Sequence, residues 1–221
     1  AAISGGFDKT SNVYSANLFG LEGSGTMAHS WIQSFDDELT AFRTYAKWFP
    51  DNCVLLADTY NTLESGIPNA ITVALELKQR GHRLTGIRLD SGDFTSLSKK
   101  ARKMLDQAGL HDVKIIASNQ LDEFTILNLL AQGAPIDIFG VGTSLVTGQH
   151  DAALDGVYKL SYLDGKATAK LSETNSKATL PGIKTIHRFI NGDNQFYADG
   201  ISLEDEIDYS VIYHPVNSKK Y

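Results

Sequence analysis

A parallel α/β fold of successive strand–helix units, followed by a small β-rich tail, is what this sequence predicts. Three observations carry the expectation. Short apolar runs alternate with longer amphipathic ones from Leu18 to Thr143, a polar cluster follows every apolar run, and the texture changes after Gly148 to paired short segments joined by turn residues.

The first unit is Gly20 to Gly25, read as a strand, with Ala28 to Phe49 as one or two helices stopped by Pro50. Four further strands follow at Cys53 to Ala57, Thr85 to Leu89, Val113 to Ala117 and Ile136 to Val141, each short and β-rich. Between them Ile67 to Arg80, Phe94 to Ala108 and Leu121 to Gln132 place apolar residues at helical spacing. The first two of these helices run into Gly81 and Gly109, which can adopt the left-handed conformation that closes a helix. Five strands with intervening helices predict a parallel sheet, either open and doubly wound or part of a barrel.

In the tail, Val157 to Leu163 and Lys166 to Leu171 flank Asp164-Gly165, a type I′ hairpin signal. A second hairpin is expected from Thr185 to Ile190 and Gln195 to Tyr197 around Asn191-Gly192. There is no internal repeat or long linker, so the expected division is residues 1–148 for the α/β part and 149–221 for a β-rich part packed upon it.

Composition narrows the function classes. The 221 residues carry 20 Lys+Arg against 26 Asp+Glu, a net charge of −6, and 42% are hydrophobic. That balance gives no electrostatic footprint for nucleic acid or an anionic membrane, though a local basic site for a polyanion stays open. The single Cys53 cannot form an internal disulfide, and neither a CxxC pair nor an HExxH stands ready to hold zinc, so a reducing, cytoplasmic setting without a structural metal is expected. No apolar stretch reaches membrane-spanning length, and AAISGGFDKT lacks the basic and long apolar regions of a secretory signal.

Ligands of parallel α/β folds lie beyond the carboxyl ends of the strands. Here those ends read Gly25-Thr26-Met27-Ala28-His29-Ser30, Asp58-Thr59-Tyr60, Arg88-Leu89-Asp90-Ser91-Gly92-Asp93, Ser118-Asn119-Gln120 and Gly140-Val141-Gly142-Thr143-Ser144. Small, hydroxyl, carboxylate and guanidinium groups on one rim suit a hydroxylated, phosphorylated ligand. Bland readings exist for each. His29 alone serves equally well as a helix-start residue with a satisfied ring, Asp58-Thr59 alone reads as a helix cap, and Asp93 reads as the cap of the helix from Phe94. Gly140-Val141-Gly142-Thr143 is by itself a weak phosphate signal. Arg88 and Asp90 alternate onto one face at a strand end, which a cap does not need.

These residues, in this order, resemble nicotinate phosphoribosyltransferase, the family that joins nicotinate to phosphoribosyl pyrophosphate. The resemblance rests on GGFDKTSNV at Gly5 to Val13, GTMAHSW at Gly25 to Trp31, LADTY at Leu56 to Tyr60, SGIPNAI at Ser65 to Ile71, IRLDSGD at Ile87 to Asp93, ASNQLDE at Ala117 to Glu123 and FGVGTS at Phe139 to Ser144. In the tail it rests on YKLS at Tyr158 to Ser161, AKLS at Ala169 to Ser172 and LPGIKTIHR at Leu180 to Arg188. It implies an irregular α/β barrel of type II phosphoribosyltransferase kind, a flanking β-containing part, and a homodimer with shared sites. It also implies a preceding segment, with a Phe-Gly-x-Arg-Arg stretch, that residues 1 to 4 do not supply; the chain is thus expected to be the C-terminal portion and incomplete for activity alone.

The resemblance further implies residue roles. His29 is the residue phosphorylated by ATP, and Asp58 orients its ring. Arg88 holds the nicotinate carboxylate with Thr26 nearby, Asp90 accepts from the ribose hydroxyls, and Ser118, Asn119, Gly142, Thr143 and Ser144 surround the 5′-phosphate. Lys159, Lys170, Lys177 and Lys184 are candidates for polyphosphate, set against a plain solvated face. Mg²⁺ is expected to arrive with the phosphates, without a dedicated protein ligand. Two other readings stand beside this one: the related nicotinamide-specific enzyme, and a fragment that binds ligand or dimerises without turnover.

Overall fold

A computed structural model describes residues 2–147, 158–169 and 180–203. The chain divides into two compact units, Ala1–Val157 and Tyr158–Tyr221.

In the first unit the elements run α1 (Val13–Phe19), α2 (His29–Gln33), α3 (Glu38–Trp48), β1 (Val54–Leu56), a π-helical turn (Thr62–Gly66) continuing into α4 (Ile67–Gln79), β2 (Gly86–Leu89), α5 (Phe94–Gln107), β3 (Lys114–Ser118), α6 (Glu123–Ala131), β4 (Ile138–Gly140) and α7 (Thr143–Val146). The four strands form one parallel sheet in strict sequence order, β1-β2-β3-β4. Its register sets Leu56 beside Arg88, Arg88 beside Ile116, and Ser118 beside Gly140. The four later apolar runs therefore form the sheet expected of them.

The first expected strand does not join that sheet. Gly20 to Gly25 carries three glycines and one large apolar side chain, Leu21, too little to bury as a strand. It makes a single parallel bridge, Thr10 with Gly23, fixed by Thr10 N–H donating to Glu22 O at 3.3 Å and Ser24 N–H to Thr10 O at 2.8 Å.

Local signals explain the helices. Asp37, Asp93 and Asp122 cap α3, α5 and α6, each accepting from backbone N–H groups of the first turn. Gly81 and Gly109 take φ of 82° and 71° just past α4 and α5, as a helix stop requires. One core cluster joins α2 through β3, with Ile32, Phe42, Leu55, Ile67, Leu77, Ile87, Leu105 and Ile115 wholly buried, each such side chain contributing roughly 1.5–3 kcal/mol of hydrophobic stabilisation, and a second, of Ala117, Leu121, Leu129 and Ala134, lies under α6. Cys53 lies in this core, and burial pushes its thiol up to about 12, which makes it an inert packing residue.

One glycine fixes the approach of α4 to the sheet. A Cβ on Gly66 would stand 1.8 Å from the carbonyl oxygen of Ala57, so the π-helical turn seats its backbone directly against the residue that follows β1. That close approach keeps the end of β1, with Asp58 and Thr59, locked in place.

The described residues of the second unit form two antiparallel hairpins, β5 (Tyr162–Leu163) with β6 (Lys166–Ala167), and β7 (Lys184–Ile190) with β8 (Phe196–Leu203). In the first, Asp164 and Gly165 both take positive φ, 48° and 77°, as a type I′ turn demands. The second turn differs from the expectation. The Asn191 side chain accepts from Asp193 N–H and Gln195 N–H, and the left-handed residue is Asn194 at φ 58°, so a wider loop replaces the two-residue Asn191-Gly192 turn. A side-chain-organised loop of this kind competes successfully with the tight turn and shifts the register near Ile190.

Candidate active site

His29 opens α2, and its ring is held from three sides. Thr59 Oγ1 lies 3.0 Å from Nδ1, while Nε2 stands 3.7 Å from Asp90 Oδ2 and 4.0 Å from Asp58 Oδ1. His29, Asp58 and Thr59 are all buried. Asp58 and Thr59 do not cap the following helical turn; Asn61 does, accepting from Leu63 N–H and Glu64 N–H. The residues after β1 are thereby released from a capping role and turned toward the histidine.

Asp58 is held by the loop after β2. Its Oδ2 accepts from Asp90 N–H at 3.1 Å and from the Ser91 hydroxyl, which leaves Oδ1 on the histidine side as a buried oxygen with no hydrogen-bond partner among the described residues. Leaving such an acceptor unmatched is costly unless a proton or positive charge arrives.

Arg88, on β2, organises the next group. Its Nε donates to Ser118 Oγ at 2.7 Å, one terminal nitrogen donates to Thr26 Oγ1 at 2.8 Å, and the other pairs with Asp90 Oδ1. Ser118 also donates to Asp90 Oδ1 at 2.6 Å, and Asn119 Nδ2 donates to Asp90 O at 2.9 Å. The guanidinium has five N–H donors, and these bonds engage one on each nitrogen. Among the described residues the other two have no partner.

Asp90 is thus the hub. Burial pushes its carboxyl up, but the His29 ring, the Arg88 charge and the Ser118 hydroxyl outweigh that and hold it well below the usual carboxylate range. The opposite case lies nearby in Glu38, where burial raises the carboxyl despite hydrogen bonding by Asn69 and Ser65, with the Asp58 charge adding to the rise. Asn69 Nδ2 donates to Glu38 Oε2 at 2.9 Å.

The structure therefore brings His29, Asp58, Thr26, Arg88, Asp90, Ser118 and Asn119 into one bonded cluster at the carboxyl ends of β1, β2 and β3. Asn119 and Gln120 both adopt positive φ, 82° and 49°, a strained pair that turns the Asn119 amide back to Asp90. Gly142, Thr143 and Ser144 stand at the same end of the sheet, after β4, with Gly142 and Thr143 exposed, and no described hydrogen bond links them to the cluster. Lys184 Nζ is tied to the carbonyls of Leu180 and Gly182, both at 2.6 Å, in the second unit, which also contains Lys159. Lys170 and Lys177 lie outside the described residues.

Two members of the cluster are not on the sequence-derived set. Thr59 and Ser91 each follow a named carboxylate, but both residue types are so common in caps and turns that spacing alone gives them no function. Among the described residues, no group of three or more His, Cys, Asp or Glu side chains is placed to hold a metal ion. No described helix is long and apolar enough to cross a membrane.

The chain is similar to proteins described as nicotinate phosphoribosyltransferases. The Bacillus subtilis nicotinate phosphoribosyltransferase is 53% identical over 211 residues, covering 93% of this chain and 43% of that protein. The crystal structure of human nicotinic acid phosphoribosyltransferase superposes with a TM-score of 0.59 at 29% identity, covering 93% of this chain and 48% of that one. The Vibrio cholerae nicotinate phosphoribosyltransferase superposes with a TM-score of 0.60 at 25% identity over 77% of this chain and 44% of that one. The chain spans about half the length of the relatives it matches. A match to the profile of the nicotinate phosphoribosyltransferase (NAPRTase) family extends over residues 2–199, and the chain accordingly belongs to that family.

Proposed function

We propose that this chain carries the nicotinate-binding and energy-coupling residues of an ATP-dependent nicotinate phosphoribosyltransferase, a ligase that forms nicotinate mononucleotide and pyrophosphate in NAD synthesis. The observation that carries the proposal is the His29–Asp90–Arg88 linkage, which ties a buried imidazole to a guanidinium with unused donors through one ionised carboxylate. Relatives named for this activity support the substrate assignment.

In this reading the γ-phosphoryl group of ATP passes to a ring nitrogen of His29 as the bond to ADP breaks. A neutral imidazole is nucleophilic near pH 7, and its phosphorus–nitrogen bond is reactive enough to be hydrolysed again. The ring acquires positive charge in that step, and Asp58 Oδ1 and Asp90 stand where they stabilise it. Nicotinate binds with its carboxylate on the unused N–H groups of Arg88, near Thr26. Its ring nitrogen then attacks the ribose anomeric carbon of phosphoribosyl pyrophosphate as pyrophosphate departs.

Asp90 serves the ribose hydroxyls once the ligand draws Arg88 away. Ser118, Asn119 and the Gly142-Thr143-Ser144 turn supply hydroxyl and backbone N–H donors for the 5′-phosphate. Mg²⁺ enters as part of the two polyphosphate substrates, whose oxygens are its natural ligands.

The sheet is proposed to be part of an irregular α/β barrel, and the active form a homodimer with shared sites. Supporting this, β1 and β4 are edge strands among the described residues, and α1 and α6 expose Tyr14, Phe19, Phe124 and Leu127. Such faces suit coverage by further protein surface. The test is direct: an enzyme of family length carrying these residues is incubated with nicotinate, phosphoribosyl pyrophosphate and ATP. Nicotinate mononucleotide with matching ADP release is expected; turnover of nicotinamide in preference to nicotinate contradicts the reading.

A further inference from the structure

We infer that Thr59 is a positioning residue for His29: its hydroxyl donates to Nδ1 and so holds the ring in the tautomer that carries its proton on Nε2. Two independent observations lead to that tautomer. On one edge of the ring, Thr59 is fully buried, and Nδ1 at 3.0 Å is the partner the described residues give its hydroxyl. A hydroxyl shut away from water needs an acceptor for its proton, so the proton lies along the bond to Nδ1 and the ring nitrogen accepts.

On the other edge, Nε2 faces Asp90 Oδ2 at 3.7 Å and Asp58 Oδ1 at 4.0 Å. Asp90 is ionised, and Asp58 Oδ1 has no hydrogen-bond partner among the described residues. Negative oxygens on that side favour an N–H pointing at them, which is again the Nε2–H form. Asp58 and Thr59 are consecutive residues at the end of β1, so one short stretch of chain addresses both nitrogens of the same ring. Because Asn61 caps the following turn, the Thr59 hydroxyl has no helix-capping duty. Its role in the reaction rests on the proposed function, since it acts through a histidine that is assigned there as phosphoryl acceptor.

The experiment reads the ring itself. In the ¹⁵N-labelled chain, at a pH where the ring is neutral, long-range proton–nitrogen correlation distinguishes protonated from accepting nitrogens, and His29→Gln assigns the signal among the six histidines. The expected result is a proton on Nε2 and a hydrogen-bonded acceptor at Nδ1. Thr59→Val, which keeps the shape and removes the hydroxyl, shifts Nδ1 to the position of an unbonded acceptor, and Thr59→Ser restores the original pattern. A proton on Nδ1 in the unmodified chain, or a His29 pattern unchanged in Thr59→Val, overturns the inference. The first of these readings needs no variant at Thr59, so it stands even if Thr59→Val does not fold.

In an enzyme of family length, ATP is expected to label His29. Failure of ATP to label His29 at all contradicts the proposed function while leaving the tautomer result to be judged on its own spectrum.

Discussion

Arg88 pairs with Asp90, two residues further along the chain, and that pair connects the end of β2 to both β3 and the histidine of α2. Through it Ser118, Thr26 and His29 are coupled to a single carboxylate. A ligand carboxylate placed on Arg88 would share the guanidinium with Asp90, so the pair is where substrate binding can be felt by the imidazole.

Arg88→Lys is expected to weaken nicotinate binding by about 1.5–3 kcal/mol, since a lysine offers one nitrogen where the arginine serves three partners and keeps donors in reserve. Titration calorimetry with nicotinate and with phosphoribosyl pyrophosphate checks this. Equal losses for both ligands would place the carboxylate elsewhere.

Asp90→Asn is expected to flatten part of the acid sensitivity of the fold. The Asp90 carboxyl is depressed in the folded chain, so the folded state binds fewer protons than the unfolded one. Its stabilisation is therefore present above the ordinary carboxylate range and is lost as pH falls toward the folded value. At neutral pH the variant should lose about 1.5–3 kcal/mol in urea unfolding, the worth of a hydrogen bond to a charged group, and the gap to wild type should narrow in acid. A gap that widens in acid would be incompatible with this assignment.

Glu38→Gln should act with the opposite sign. Burial raises the Glu38 carboxyl, so its contribution is present below the ordinary carboxylate range and fades as pH rises through the folded value. The variant keeps an acceptor for Asn69 and cannot ionise, so its melting temperature relative to wild type should rise from acid toward neutral pH. A constant difference across that range would show that the Glu38 charge has no part in stability.

Gly66→Ala should destabilise by about 1–3 kcal/mol or more, because the added Cβ would meet a backbone carbonyl at 1.8 Å and neither partner is a flexible side chain. Thermal unfolding measures it, and unchanged stability would mean that α4 can step away from β1.

Much of this was legible beforehand. The four strands from Cys53 onward and the helices α4, α5 and α6 follow from apolar runs, helical spacing, the Asp93 cap and the terminal glycines Gly81 and Gly109, signals that act locally and leave little to tertiary context, whereas α7 after β4 was not read. The shared face of Arg88 and Asp90 follows from strand alternation alone. Other features were hidden for identifiable reasons. Helix α1 buries only Ala16, so it shows no apolar stripe to read. Gly20 to Gly25 sits where a strand is expected but lacks side chains to bury. Thr59 and Ser91 acquire their partners across thirty or more residues, His29 for one and Asp58 for the other, and no local pattern announces such pairs.

His29 is proposed as the residue through which ATP drives the reaction. Incubating an enzyme of family length with γ-labelled ATP, and locating the label by peptide mapping under conditions that preserve phosphohistidine, tests it most directly. Label is expected on the peptide containing His29 and none in His29→Ala, which should still make some nicotinate mononucleotide without consuming ATP. Label retained by His29→Ala, or found on another residue of the wild type, would contradict it.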